Sequence, residues 1–190
     1  LYTERLTGQI LGDSVEATVT VAGGRIEVVG QGHLQTANVS HLISLGFDES
    51  QLYGKAVWSI VARSTDQGLV WSLETDGQGL GSRLPEPLGK TEDQIGRIVV
   101  NLNSTPELRS FNAELFETTE VRGQLGTTPL VIEVITPQAN IIDWANLPSR
   151  DGGGSDLSIL LRTQRLVLGE TPLQVSKTAI NILPDEFNAS

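Results

Sequence analysis

Apolar and polar residues alternate along most of this chain with a period of two, and turn-forming clusters interrupt the alternation at short intervals. Successive side chains of a strand point to opposite faces, so the pattern predicts a mainly β fold: an antiparallel sheet of many strands, one face apolar and one polar. Val15, Ala17, Val19 and Val21 alternate with Glu16, Thr18 and Thr20, and Gly23-Gly24 turns the chain into Ile26 and Val28. The second run continues through His33 to Thr36, and Gly30 and Gly32 within it suggest a bulge or bend.

The next two strands constrain each other. Ala56, Trp58, Ile60 and Ala62 share one face, as do Leu69, Trp71 and Leu73. For those faces to coincide in a hairpin, paired residue numbers must sum to an odd number, so the loop holds an even number of residues. A loop of Thr65-Asp66, or of Ser64 through Gln67, places Ile60 opposite Trp71 and Trp58 opposite Leu73. Further strands are expected near Gly96–Asn103, Leu108–Glu117 and Glu120–Leu125, with Phe111, Ala113 and Leu115 facing inward. Leu130 to Ile135 is nearly all apolar, which predicts a strand covered on both sides or crossed by another segment, ended by Pro137. Leu157 to Leu168 and Leu173 to Leu183 read as the last two strands, joined by the turn Gly169-Glu170-Thr171-Pro172. One short helix is expected near 38–45: Asn38 can cap it, Val39, Leu42 and Ile43 fall on one face, and Gly46 suits its end. A flexible loop is expected near 148–156, around Asp151 to Asp156.

The 190 residues suffice for one sizeable domain, but the start in mid-pattern at Leu1 predicts a single β-rich segment, 1–190, cut from a longer protein. No apolar run reaches the roughly 18 residues that span a bilayer. A net charge of -10, with thirteen scattered basic residues, argues against nucleic acid as a partner. There is no Cys, hence no thiolate chemistry and no disulfide. His33 and His41 lie in neither a metalloprotease nor a nucleophile-elbow context. The pairs Asp48-Glu49, Glu92-Asp93 and Asp185-Glu186 read as solvated charges, and Asp151 to Asp156 lacks the alternating oxygen ligands of a calcium loop. No catalytic residue, cofactor or metal is therefore expected.

Leu73 to Lys90, LETDGQGLGSRLPEPLGK, combines three glycines with two prolines. A dinucleotide cradle needs G-x-G-x-x-G opening a helix, whereas G-x-G-x-G here leads into Pro85 and Pro87, so the segment reads as a strand end and an ordered, extended connection. In this stretch, in Leu52 to Trp58 and in Ile141-Ile-Asp-Trp144, the chain resembles the YhdP branch of the AsmA-like envelope proteins of Gram-negative bacteria. The resemblance implies an extended, curved sheet shaped as a trough or taco, whose apolar concave face shields phospholipid acyl chains between inner and outer membrane. It further implies a periplasmic location, an inner-membrane anchor and neighbouring β segments elsewhere in the full-length protein, and no enzymatic activity.

On that reading the groove is lined by Val19, Val21, Ile26, Val28, Trp58, Ile60, Leu69, Trp71, Val100, Leu102, Phe111 and Leu115. An Asp at Trp58 or Ile60 would then block lipid passage in a folded chain if the trough is open, and unfold it if the face is a closed core. The alternatives are a closed β-sandwich for adhesion or carbohydrate binding, and a hydrolase built around His41. Periodicity alone does not separate an open trough from a closed core, because an apolar sheet face can be covered by protein or by lipid.

Overall fold

A computed structural model describes residues 1–10, 12–36, 38, 51–106, 108–127, 130–145, 157–168, 171–173 and 178–182. In chain order the strands are β1 (Tyr2–Ile10), β2 (Asp13–Ala22), β3 (Arg25–Gln35), β4 (Leu52–Thr65), β5 (Gly68–Thr75), β6 (Leu80–Ser82) and β7 (Ile98–Ser104). They continue with β8 (Arg109–Leu115), β9 (Thr119–Leu125), β10 (Leu130–Asn140), β11 (Leu157–Leu168), β12 (Thr171–Leu173) and β13 (Thr178–Ile182). One short helix, α1 (Ile141–Ala145), follows β10. All thirteen strands join one open, curved sheet in the order β1-β2-β3-β4-β5-β7-β8-β9-β10-β11. The far edge of β11 is shared by β12 and β13, and β6 extends the edge of β4 beside β5.

The mainly antiparallel β fold expected from the alternation is what forms, with one exception: β10 and β11 are parallel. Parallel neighbours need a long crossover, and residues 141–156 supply it. Most other neighbours are joined by short turns, apart from the connections at 36–51 and 76–97. The helix expected near 38–45 and the flexible loop near 148–156 fall almost wholly outside the described residues, as do His41 and two of the acidic pairs.

Several local expectations are corrected. Gly30 and Gly32 mark no bulge, since β3 keeps a constant register with β2 and with β4. They mark crowding: a Cβ on Gly30 would lie 2.8 Å from Glu16 O, and one on Gly32 2.7 Å from Ser14 O. The β4–β5 hairpin has the expected parity but is shifted by two, pairing Ile60 with Leu73 and Ala62 with Trp71 around an Asp66-Gln67 loop. Gly68, at φ +150, closes that loop against Thr65, and a Cβ there would lie 2.1 Å from Ser104 O. This tightens the hairpin past the residues that sequence parity leaves equivalent.

Pro137 does not end its strand. It lies in β10 beyond the last rung with β9, Ile135 to Glu120, so its missing N–H costs no bond on that edge. Nor is β10 covered on both sides, because Val131 is exposed while Ile132, Val134 and Thr136 are buried. The expected final strand is two short ones, β12 and β13.

The start of β2 is held by a buried carboxylate. Asp13 accepts hydrogen bonds from the Gln35 backbone N–H at 2.9 Å and Asn38 Nδ2 at 3.1 Å, and pairs with Lys55 Nζ at 3.0 Å. The Gln35 N–H bond in the first place, and then Lys55 and Asn38, hold its carboxyl below the usual range against the opposing effect of burial.

Candidate functional site: the apolar face and its cover

The registers join into straight rows across the sheet. One row runs Leu6, Ala17, Gly30, Ile60, Leu73, Val100, Ala113, Val121, Val134, Leu161 and Ile180, with no polar residue in it. At a strand spacing of about 4.8 Å its ten steps measure about 48 Å along the sheet. The next row holds Val19, Val28, Ala62, Trp71, Leu102, Phe111, Gly123, Ile132 and Ile159. On the other side Thr75, Ile98, Leu115 and Thr119 align, and Thr136 aligns with Thr163. Thr119 and Thr136 approach at 3.4 Å through their hydroxyls, which lets polar side chains be buried there.

All twelve residues expected to line a groove lie on this one face, but in two environments. Trp58, Ile60, Val100 and Phe111 are buried, whereas Val19, Val21, Val28, Leu69, Trp71, Leu102 and Leu115 are half-buried. Ile26, near the hairpin tips, is 48 % exposed. The opposite face is polar and carries the pairs Arg63–Glu27 at 2.7 Å and Arg162–Glu133. Such exposed pairs contribute about 0–1 kcal/mol each, so they solvate the outer face more than they stabilise it.

The buried part is covered by chain excursions that leave the strand-to-strand path. Residues 76–97, between β5 and β7, place Leu80, Leu84 and Leu88 in the same apolar cluster as Trp58, Val100 and Phe111. From the β10–β11 crossover comes Trp144, fully buried in that cluster, whose indole Nε1 donates to Glu86 O at 3.1 Å. Two of the segments that carry the family resemblance, Leu73–Lys90 and Ile141–Trp144, thus touch each other.

The glycine-rich turn binds an ammonium instead of an anion. Lys90 Nζ donates to the carbonyls of Gly77 at 2.7 Å, Leu80 at 2.9 Å and Thr91 at 2.9 Å, using all three of its protons. Lys90 is 7 % exposed, and desolvation pushes its pKa down, while Asp93, Asp76 and Glu92 oppose that shift. A turn that presents carbonyls inward is the reverse of a phosphate cradle. Among the described residues no group of His, Asp and Glu is arranged to hold a metal, and His33 is exposed on the outer face.

Between cover and sheet lies an apolar cavity of about 140 Å³, lined by Leu52, Leu80, Leu84, Leu88, Trp58, Ile98, Val100, Phe111, Ala113, Leu115 and Phe116, among others. Phe116 and Glu117 turn β8 into β9 with φ of 54 and 62, a left-handed geometry that bulky side chains rarely take. The Phe116 N–H donates to Arg97 O at 2.9 Å, which holds the turn in place. The sequence reading names Trp58 but gives no sign of the cavity or of its cover by Leu80, Leu84 and Leu88. Both depend on contacts between segments far apart in the chain.

Comparison with family models, with curated proteins and with solved structures finds no match to this chain. The class that fold and site define is therefore structural: a single open β-sheet with a continuous apolar face, covered over part of its area.

Proposed function

We propose that this chain is a lipid-binding segment of a bridge-like lipid-transport protein, similar to the YhdP branch of the AsmA-like proteins. The observation that carries the reading is the unbroken apolar row across eleven strands, which leaves protein cover toward Leu6, 45 % exposed, and borders half-buried neighbours at Val28, Trp71 and Leu102. Its length of about 48 Å exceeds the roughly 30 Å hydrocarbon core of a bilayer. Phospholipid acyl chains laid on this face would be removed from water at about 25 cal/mol per Å², while the paired charges of the outer face stay solvated. The proposed setting is the periplasm of a Gram-negative bacterium, with membrane contact made by other parts of the full-length protein and no catalysis here.

A closed sandwich for adhesion or sugar binding would need a second sheet facing the first, and the described strands join one sheet. The test is native mass spectrometry of the purified chain for co-purifying phospholipid, repeated on Val28→Asp and Leu102→Asp. Bound phospholipid, lost in both folded variants, is expected. Absence of phospholipid from the parent chain, after expression in a Gram-negative host and after incubation with phospholipid vesicles, would sink the reading. Trp58 and Ile60 are unsuitable for this purpose, because at 2 % and 1 % exposure an Asp would be buried beneath the cover and unfold the chain.

A further inference from the structure

The two edges of the sheet are unlike. At one end β11 is fringed by the short β12 and β13, whereas at the other β1 runs from Tyr2 to Ile10 in constant register with β2. It contains no proline and no bulge, and Tyr2 to Gln9 are all exposed, so no described segment lies along its outer side. A long, straight, unpaired edge presents a row of N–H and C=O groups, and natural sheets either blunt such an edge or pair it.

The residues of β1 suit a second copy of themselves. Strand residues directly opposite each other point to the same face, so an odd sum of paired numbers would join the apolar face of one copy to the polar face of the other. Centring the pair on Glu4 or Arg5 would set like charges opposite each other. Centring it on Leu6 pairs the whole strand: Leu6 with Leu6, Tyr2 with Ile10, Glu4 with Gly8, Arg5 with Thr7 and Thr3 with Gln9. Glu4, the one charge that β1 places on the apolar face, thereby meets a residue without a side chain, and a Cβ on Gly8 would have nothing within 4 Å. On the outer face, Arg5 of each copy comes into line with Thr7 and then Glu16 of the other, because Thr7 pairs with Glu16. Neither Arg5 nor Glu16 has an ion-pair partner among the described residues, so the alignment brings together two unmatched charges of opposite sign.

We propose that β1 is a dimerisation edge, at which two copies of this chain pair antiparallel about a two-fold axis at Leu6. The facing strands exchange about eight to ten main-chain hydrogen bonds, near the roughly ten direct bonds of a typical protein interface. The contact is isologous and closes on itself, so it makes dimers and no fibre. It also carries the apolar row through Leu6, 45 % exposed in the single chain, into the same row of the second copy, for about 100 Å along the joined sheets. The inference goes beyond the lipid reading and does not depend on it, since main-chain pairing at the edge needs no lipid.

The experiment is sedimentation equilibrium of the whole chain without lipid, from about 5 to 500 µM, a span that reads micromolar dissociation constants. The mass is expected to rise from 20.4 kDa toward twice that value. Leu6→Asp, which sets two carboxylates opposite each other at an exposed position, should weaken association roughly ten-fold or more. Register is read by single introduced cysteines, which are unambiguous in a chain with no Cys of its own. In a glutathione redox buffer Leu6→Cys should cross-link to itself, since opposite Cα atoms lie about 4.5–5.5 Å apart, whereas Glu4→Cys and Gly8→Cys should cross-link only when mixed. A monomer at every concentration, which leaves the edge to a strand of another protein, would overturn the proposal. Self-cross-linking of Glu4→Cys or Gly8→Cys as fast as that of Leu6→Cys would overturn it too, as would a folded Leu6→Asp variant that associates like the parent. The cysteine readout stands even if Leu6→Asp folds poorly. A monomer that binds phospholipid defeats the dimer and spares the lipid reading, and a dimer that binds none does the reverse.

Discussion

Trp144 is the point at which two excursions of the chain lock together, and its truncation gives the sharpest test of the fold. The side chain is fully buried, so Trp144→Ala removes an indole from a packed cluster, which costs about 3–5 kcal/mol. With a urea m-value of about 2 kcal/mol/M for a chain of this size, the midpoint should fall by roughly 2 M. Trp144→Phe keeps most of the apolar volume but strands Glu86 O, which now accepts from Nε1 at 3.1 Å, for a cost of about 1–2 kcal/mol. The loss should also be local. Hydrogen exchange in Trp144→Ala should accelerate at the Leu88 and Lys90 amides, which donate to Pro85 O at 2.9 Å and Ser82 O at 3.0 Å, while β7 to β9 keep their protection. Equal effects of the Phe and Ala variants, or a midpoint shift below about 0.5 M for Ala, would refute the assignment of Trp144 as the clasp of the cover.

Other outcomes follow from the same geometry. Lys90→Met deprives three carbonyls of their donor, two of them in buried bonds, and should lower the melting temperature by roughly 10 °C in a thermal scan, about 2–4 kcal/mol. Asp13 has a folded pKa below its unfolded value, so its contribution is complete above about pH 4 and is lost as pH falls through the folded value. Urea midpoints measured from pH 6 to pH 2 should therefore drop more steeply in the parent than in Asp13→Asn. Gly30→Ala should destabilise by about 1–3 kcal/mol in the same titration through its 2.8 Å approach to Glu16 O, whereas Gly8→Ala, with nothing within 4 Å, should be neutral or slightly stabilising.

How much of this was legible in the sequence depends on the range of the interaction. Alternation at Val15 to Val21 and Ala56 to Ala62 is a property of neighbours along the chain, and it gave strands, faces and hairpin parity correctly. Parity does not distinguish registers two residues apart, so the Ile60–Leu73 pairing waited on Gly68 and its contact with Ser104. Period two is also blind to the direction of the neighbouring strand, which is why the parallel β10–β11 pair was not foreseen. The twelve residues expected to line a groove share one face of the sheet, yet alternation gives no means of telling buried Trp58 from half-buried Trp71. That difference goes with Leu80, Leu84 and Leu88, which share the cavity wall with Trp58 and arrive from an excursion whose docking leaves no periodic trace.

The parallel pair also bears on the order in which the molecule assembles. Most of the meander forms from hairpins between strands that follow one another closely, and closing such short loops is fast. Pairing β11 with β10 must wait for the chain to travel back the length of a strand through residues 141–156, and only then is Trp144 delivered to Glu86. The apolar face is therefore expected to exist uncovered during folding, as an exposed sheet without its clasp. On the proposed reading, phospholipid present at that stage would meet the apolar face before its cover is fastened, so loading during synthesis should be quicker than entry into the finished fold.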